Sequence, residues 1–192
     1  MTRRDDSQDY HVARLLLLLD AFTRSGGRLD GLTKLAKLDF LLRYPLFLER
    51  LLDVRRLMWP HGLTPIASER MGVESRMIRY KYGPWDDRYY TLVGALIGRG
   101  LAELAPGGKG SLALRVTATG RETADKLAAT DAWGITAGRA SFLKRNFNLS
   151  GNQLKQMIYR ELPDVVDRPL RSPIALKPTA PSMLGRSGGD DG

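Results

Sequence analysis

Only two histidines occur in the chain, His11 and His61, fifty residues apart. A metal site or a His-centred nucleophilic triad would start from one of them. Metal-binding histidines come at short helical or loop spacings, with further ligands close by, and neither position has such a neighbour. Both read as ordinary surface residues, His11 at a helix start and His61 in a loop. Asp86-Asp87 is the other pair that could hold a cation. Two carboxylates at the start of a helix are more simply a cap placed at the favourable end of the helix dipole. Gly107-Gly108-Lys109-Gly110-Ser111 invites comparison with a phosphate-binding loop, but that motif needs Gly, four residues and then Gly-Lys-Ser/Thr between a strand and a helix. Here the glycines lie between two strands, where a tight hairpin requires them. The chain has no cysteine, so disulfides, zinc ribbons and thiol nucleophiles are excluded together. The expectation is a protein that is not an enzyme and carries no metal or cofactor, so that any ATP chemistry belongs to a partner.

What remains is charge. Thirty Lys+Arg against 21 Asp+Glu give a formal net charge of +9, which favours anionic partners, nucleic acid first and acidic protein surfaces second. Arg76, Arg79, Lys81, Arg88, Lys109 and Arg115 are the candidate phosphate contacts, which would position the protein on DNA without reading its sequence. A solvated basic surface is the competing reading. Tyr80, Tyr82 and Trp85 are interleaved with these cations and could stack on bases or fill a core or interface.

Periodicity supplies the elements that must carry these residues. Leu15, Leu18, Leu19 and Phe22 form one stripe of a helix over about 11–25. Leu16 and Leu17 fall outside it, so the helix is either central to the fold or part of a subunit interface. A second helix starts at an Asp30 cap, turns Leu35, Leu38, Leu41 and Leu42 inward and Lys34 and Lys37 outward, and breaks at Tyr44-Pro45. Pro45 opens a third helix with Phe47, Leu51, Val54 and Met58 on one face. After a loop, residues 76–82 read as a strand closed by a Gly83-Pro84 turn. Asp86 caps a helix with Tyr89, Leu92, Val93, Leu96 and Ile97 inward. A strand at 101–104, the glycine-rich turn, and a strand turning Leu112, Leu114 and Val116 inward follow. Thr119 to Glu122 reads as a capping box for the next helix. Helix, strand, glycine-rich hairpin, strand, helix is the C-terminal half of a winged helix. The predicted fold is therefore mainly α with a small β-hairpin: a flexible N-terminus over 1–10, a winged-helix domain over 11–129, C-terminal helices over 130–163, and a disordered Pro/Gly-rich tail over 164–192 whose Ile174 to Leu176 could dock as an extended peptide. The longest apolar run, Leu15 to Leu19, is far short of a membrane span and no signal peptide is evident, so a cytoplasmic protein is expected.

Two surfaces suit partner binding. The helix before the hairpin presents Arg88, Thr91, Ala95 and Arg99 outward with Gly94 and Gly98 beside them, a small flat face better suited to packing on another backbone than to reading bases. The Tyr82-Gly83-Pro84-Trp85 turn and the Leu16–Leu17 side of the first helix complete the predicted interface.

Three blocks of the chain carry a family resemblance: Leu32 to Pro45, Glu74 to Asp86 running into Leu96 to Leu101, and Leu149-Ser150-Gly151 with Lys155 to Tyr159. Arg79-Tyr80-Lys81-Tyr82-Gly83-Pro84-Trp85 is the most distinctive string in them. Over residues 10–165 the chain resembles the small middle component of three-component ABC-ATPase systems, the Lamassu type of antiphage defence. The resemblance implies an accessory, KITE-like subunit beside an SMC-like ATPase and a nuclease-type effector, scaffolding the ATPase and helping it hold or sense double-stranded DNA. The alternative class is a stand-alone winged-helix transcriptional regulator.

Overall fold

The structure is a computed structural model that describes residues 7–67, 69, 77–81, 83–108 and 112–174. Arg76, Tyr82, Lys109 and most of the proposed tail lie outside these residues. The fold is mainly helical with two small antiparallel sheets, and among the described residues no helix is long and apolar enough to cross a membrane.

Helix α1 (Gln8–Thr23) starts within the segment expected to be flexible, because the Ser7 hydroxyl accepts the Tyr10 N–H at its first turn. All five leucines from Leu15 to Leu19 are buried. A helix apolar on every side has to sit in the middle, and α1 packs against the helices and the sheet around it. Leu16 and Leu17 are therefore core residues, and the interface expected on their side of the helix does not exist in this fold.

A two-residue strand β1 (Leu29–Asp30) leads into α2 (Leu32–Arg43). The N-cap of α2 is Gly31 at φ 77°, not Asp30. Only glycine adopts that backbone without strain, and the Asp30 carboxylate instead takes the Arg28 guanidinium. Tyr44 ends α2 and Pro45 opens α3 (Pro45–Arg55), as the proline predicts. Val54 and Met58 point to solvent, because α3 buries only the Phe47–Leu51 part of its stripe.

Strands β2 (Ile78–Tyr80) and β3 (Gly83–Trp85) pair with Tyr80 opposite Gly83. The turn thus comes before Gly83, and Gly83-Pro84-Trp85 is a buried strand that lies against α2. Helix α4 (Tyr89–Gly98) is followed by β4 (Ala102–Pro106) and β5 (Leu112–Val116), and the sheet order is β1-β5-β4. Because β5 is central, Ala113 is covered by the strand on each side, Asp30 on one and Ala105 on the other. Leu114 and Val116 are buried and Arg115 is exposed as the alternation predicts, but Leu112, at the far end of the hairpin, is 64% exposed. Helix α5 (Ala118–Ala128) is capped by Thr117 rather than Thr119, and Gly120 lets it approach so closely that a Cβ there would collide with the Leu101 carbonyl.

Helices α6 (Asp131–Phe147) and α7 (Gly151–Glu161) complete the core, α7 beginning at a Ser150/Gln153 capping box. The chain does not end in a loose tail at Asp164. A short α8 (Pro163–Val166) is followed by a return to the hairpin, where Ser172 accepts the Arg79 N–H at 2.9 Å and Ile174 donates to Met77 O at 2.8 Å. Pro169 and Pro173 fit here because the return is a sheet edge, where a proline needs no donor. Ile174 is fully buried. Removing residues from Pro169 onward, which composition alone suggests is harmless, should therefore destabilise the protein. Ile174→Ala should cost about 2 kcal/mol in urea denaturation, the lower end for a buried isoleucine; no loss would mean that the return strand adds nothing to the fold.

Candidate functional site

A chain of buried charges pins α1, α2 and the start of α4 together. Asp39 on α2, fully buried, accepts from Arg14 Nε at 2.8 Å, from Arg14 Nη2 at 3.2 Å and from the Tyr89 hydroxyl at 2.7 Å. Arg43, one turn further along α2, reaches Asp86 at 2.9 Å. Asp86 also holds Arg88 through both carboxylate oxygens and accepts its backbone N–H. Asp86 thus supports the start of α4 from two residues before the Arg88 cap, and its carboxylate is committed to two arginines. Burial alone would raise the pKa of Asp39 and of Asp86. The guanidiniums and donors around them outweigh it and hold both below the ordinary carboxylate value. His11 closes the chain at the α1 end, with Nδ1 2.7 Å from Arg14 Nη1. Among the described residues no three His, Asp or Glu side chains gather as metal ligands.

A second place collects polar groups with fewer partners. Lys37 was expected on the solvent side of α2, but it is only 3% exposed. Its ammonium donates to the Thr33 carbonyl at 2.9 Å. It lies under the hairpin, in a slot walled by Thr33, Tyr80, Gly83, Pro84 and Trp85, with room for about one water (10 Å³). Burial lowers its pKa to about 8, and the neighbouring charge that adds to the shift is another cation, Lys155 on α7. Lys155 lies over the Tyr159 ring, and the Tyr159 hydroxyl donates to Lys81 O on the hairpin. Elements α2, the hairpin and α7 therefore meet around this slot. On its outer side three rings run in series, Tyr80 and Tyr90 each with centroids within 6 Å of Trp85 (5.8 and 5.9 Å). Trp85 is buried, whereas Tyr80 is 40% and Tyr90 70% exposed.

Among the described residues, the predicted phosphate contacts do not form one patch. Arg79 is half-buried and donates to Val166 O, so it holds α8 rather than a ligand. Arg88 is bound to Asp86. Arg115, exposed on β5, pairs with Glu103 across the strands. Lys81 is exposed on the hairpin, which packs on α2, α7 and α8, while β4 and β5 pack on α4 and α1. Of the predicted interface, Gly83, Pro84 and Trp85 are buried within this chain. Gly94 and Gly98 are exposed, with open space where a side chain would stand. Sequence reasoning missed Lys37, Lys155 and Asp39. The available signal was α2 itself: its apolar residues, Leu35, Leu38, Phe40, Leu41 and Leu42, already span more than one face, which leaves little solvent side for a lysine. No protein-family model, curated protein or solved structure matches this chain.

Proposed function

We propose that this protein is a winged-helix subunit that acts by binding rather than by catalysis: an adaptor beside an SMC-like ABC-type ATPase and a nuclease-type effector in antiphage or anti-plasmid defence, assisting the ATPase in holding or sensing double-stranded DNA. In this reading α1, α2 and α4 are the three helices, β1-β5-β4 is the sheet and β4–β5 the wing. Helix α3 and the β2–β3 hairpin are inserted before the third helix. The family resemblance supports the partner class.

The observation that carries the reading is the outer face of α4, the helix that would enter the major groove in a DNA-reading winged helix. Its exposed residues include Tyr90, Thr91, Gly94 and Gly98. Of the arginines at its two ends, Arg88 is held by the buried Asp86 and Arg99 pairs at the surface with Asp9 at 2.7 Å. Such a face offers a ring and a glycine shelf for another backbone and little for base edges. Leu104 and Leu112 add exposed apolar area on the hairpin. Lys81 and Arg115 remain as exposed candidates for non-specific phosphate contact.

Gly94→Leu tests it. Nothing within 4 Å of the new Cβ opposes the substitution, and leucine is the better helix former by somewhat under 1 kcal/mol, so the isolated variant should melt no lower than wild type. Co-expressed with an SMC-like ATPase encoded beside its gene, which this reading requires to exist, wild type should co-purify and the variant should be lost or at least tenfold weakened. Equal recovery would remove α4 from the interface, and failure of any ATPase to co-purify would sink the adaptor reading. A preferred duplex sequence bound by the chain alone would favour the regulator.

A further inference from the structure

We propose that the cations gathered at the C-terminal turn of α6 are a contact surface for the phosphate backbone of double-stranded nucleic acid, with Arg55 and Arg145 as the exposed contacts and Lys144 beside them. Several exposed cations elsewhere are answered within the chain: Arg24, Arg50, Arg99, Arg115 and Lys126 each meet a carboxylate. Lys34, Arg55, Lys144 and Arg145 meet none at ion-pair distance among the described residues, and three elements bring them to one place. Lys34, in the first turn of α2, and Lys144, in the last turn of α6, both lie over the Phe22 ring, 5.9 and 5.3 Å from its centroid. Lys34 also reaches Asn148 Oδ1, just past α6, at 3.4 Å. Arg55, at the end of α3, donates to Asn146 O at 2.7 Å and lies over the Phe147 ring. Arg145 is exposed in the same last turn of α6, with no ion pair or side-chain hydrogen bond among the described residues. The negative end of the α6 dipole favours cations here, but it is worth only about half a charge. Asp30 is the carboxylate whose charge bears on Lys34, and it takes the Arg28 guanidinium. The surplus is positive, and a polyanion complements it. The rings then decide which polyanion. Phe22 and Phe147, the two rings at this turn, are buried, so neither can stack on an unpaired base as single-strand sites require. Contacts confined to phosphates suit a duplex and position it without reading its sequence. This inference rests on the proposed role in holding double-stranded DNA and gives that role a surface. It uses no residue of the α4 face.

The test uses the full chain alone, with a labelled blunt duplex and an oligothymidylate of the same length titrated by fluorescence anisotropy at several salt concentrations. The duplex should bind more tightly than the single strand, with little preference among unrelated sequences. Arg145→Gln and Arg55→Gln should each weaken duplex binding and lower the salt slope by about 0.9, the value for one lost phosphate contact on a duplex, and the double variant should lower it by about 1.8. Arg145→Gln breaks no ion pair or side-chain hydrogen bond of the described residues, so its melting temperature should not move and its result stands even where loss of Arg55 disturbs α6. Lys126→Gln removes the same charge from α5, where Lys126 pairs with Glu122, and should leave the wild-type slope. A wild-type slope in the double variant would overturn the proposal. So would a loss from Lys126→Gln as large as that from Arg145→Gln, which makes the effect one of net charge. Absence of duplex binding at low salt, or oligothymidylate bound as tightly as the duplex, would overturn it too. Polyglutamate that displaces the duplex as well as unlabelled duplex does would make this an acidic-protein surface instead. None of these outcomes bears on co-purification of the ATPase, so the surface and the α4 contact fail separately.

Discussion

Replacing Asp39 by alanine is expected to destabilise the protein by about 3–5 kcal/mol, the range for removing one partner of a buried ion pair. Asp39 receives both nitrogens of the Arg14 fork and the Tyr89 hydroxyl, and Arg43 lies 3.9 Å from it. Without it, Arg14, a guanidinium only 3% exposed, loses the carboxylate that its fork meets, and Tyr89, fully buried, loses its acceptor. At roughly 2–4 °C per kcal/mol for a domain of this size, the melting temperature should fall by about 10 °C. Asp39→Asn should cost less, since the amide oxygen can still accept from Tyr89. The paired change Asp39→Leu with Arg14→Met should recover more than half of the alanine loss, because it leaves no buried charge unpaired. Urea denaturation of the four proteins measures this. A loss below about 1 kcal/mol for Asp39→Ala would mean that water reaches Arg14 and that the chain of charges does not pin α1 to α2.

The pinning matters for both proposed surfaces. Arg14, Asp39, Arg43, Asp86 and Arg88 run in sequence from α1 through α2 to the first residues of α4. The same α1 and α2 carry Phe22 and Lys34, which meet in the basic cluster at the end of α6. The orientation of the α4 face and the placing of that cluster therefore depend on one set of directional contacts. Apolar packing alone tolerates sliding in a way that bidentate Arg–carboxylate pairs do not.

How far the sequence discloses this follows from what periodicity can encode. The breaks at Gly26, Tyr44-Pro45 and Gly100, the Ser150 cap and the β4–β5 hairpin are local signals, and the structure places elements accordingly. Leu16 and Leu17 show the limit. Five consecutive leucines state that a helix is apolar all round, but not whether the core or another subunit covers the extra face. The charge network is invisible to periodicity because the links that join one element to another are 25 or more residues apart in the chain, as Arg14–Asp39 and Arg43–Asp86 are. His11 and Asp39 are polar letters in helical positions and read as surface until the partners that satisfy them are known. The C-terminal return to the hairpin was hidden in the same way: Pro169 and Pro173 argue against helix and core, yet an added edge strand accepts both.

Stability should fall as the solution is acidified from about pH 6.5 to 4, and His11 is the group responsible. Its Nδ1 lies at the Arg14 guanidinium and so accepts, which places the ring proton on Nε2, a buried atom without a partner. Burial first, and then the positive charges of Arg14, Arg88 and Arg43, lower its pKa from 6.5 to about 4. Between those values the unfolded chain binds a proton on this residue and the folded chain does not, so the unfolded state gains as pH drops. The contribution of neutral His11 is complete above about pH 6.5 and is lost progressively down to about 4, for a total of roughly 3 kcal/mol at 1.36 kcal/mol per pH unit. Below that, Asp39 and Asp86 continue the trend with the same sign: their folded pKa values are lowered, so their contribution is present above the ordinary carboxylate value and is lost as the pH falls through the folded one. The measurement is urea denaturation of wild type and His11→Asn at closely spaced pH values. Asparagine can still accept from Arg14 through its amide oxygen but does not titrate, so the difference between the two curves isolates the imidazole. The wild-type curve should descend more steeply than the variant's between pH 6.5 and 4, and the two should run parallel above 7. Parallel curves throughout would place the His11 ring in contact with water and remove it from the buried network.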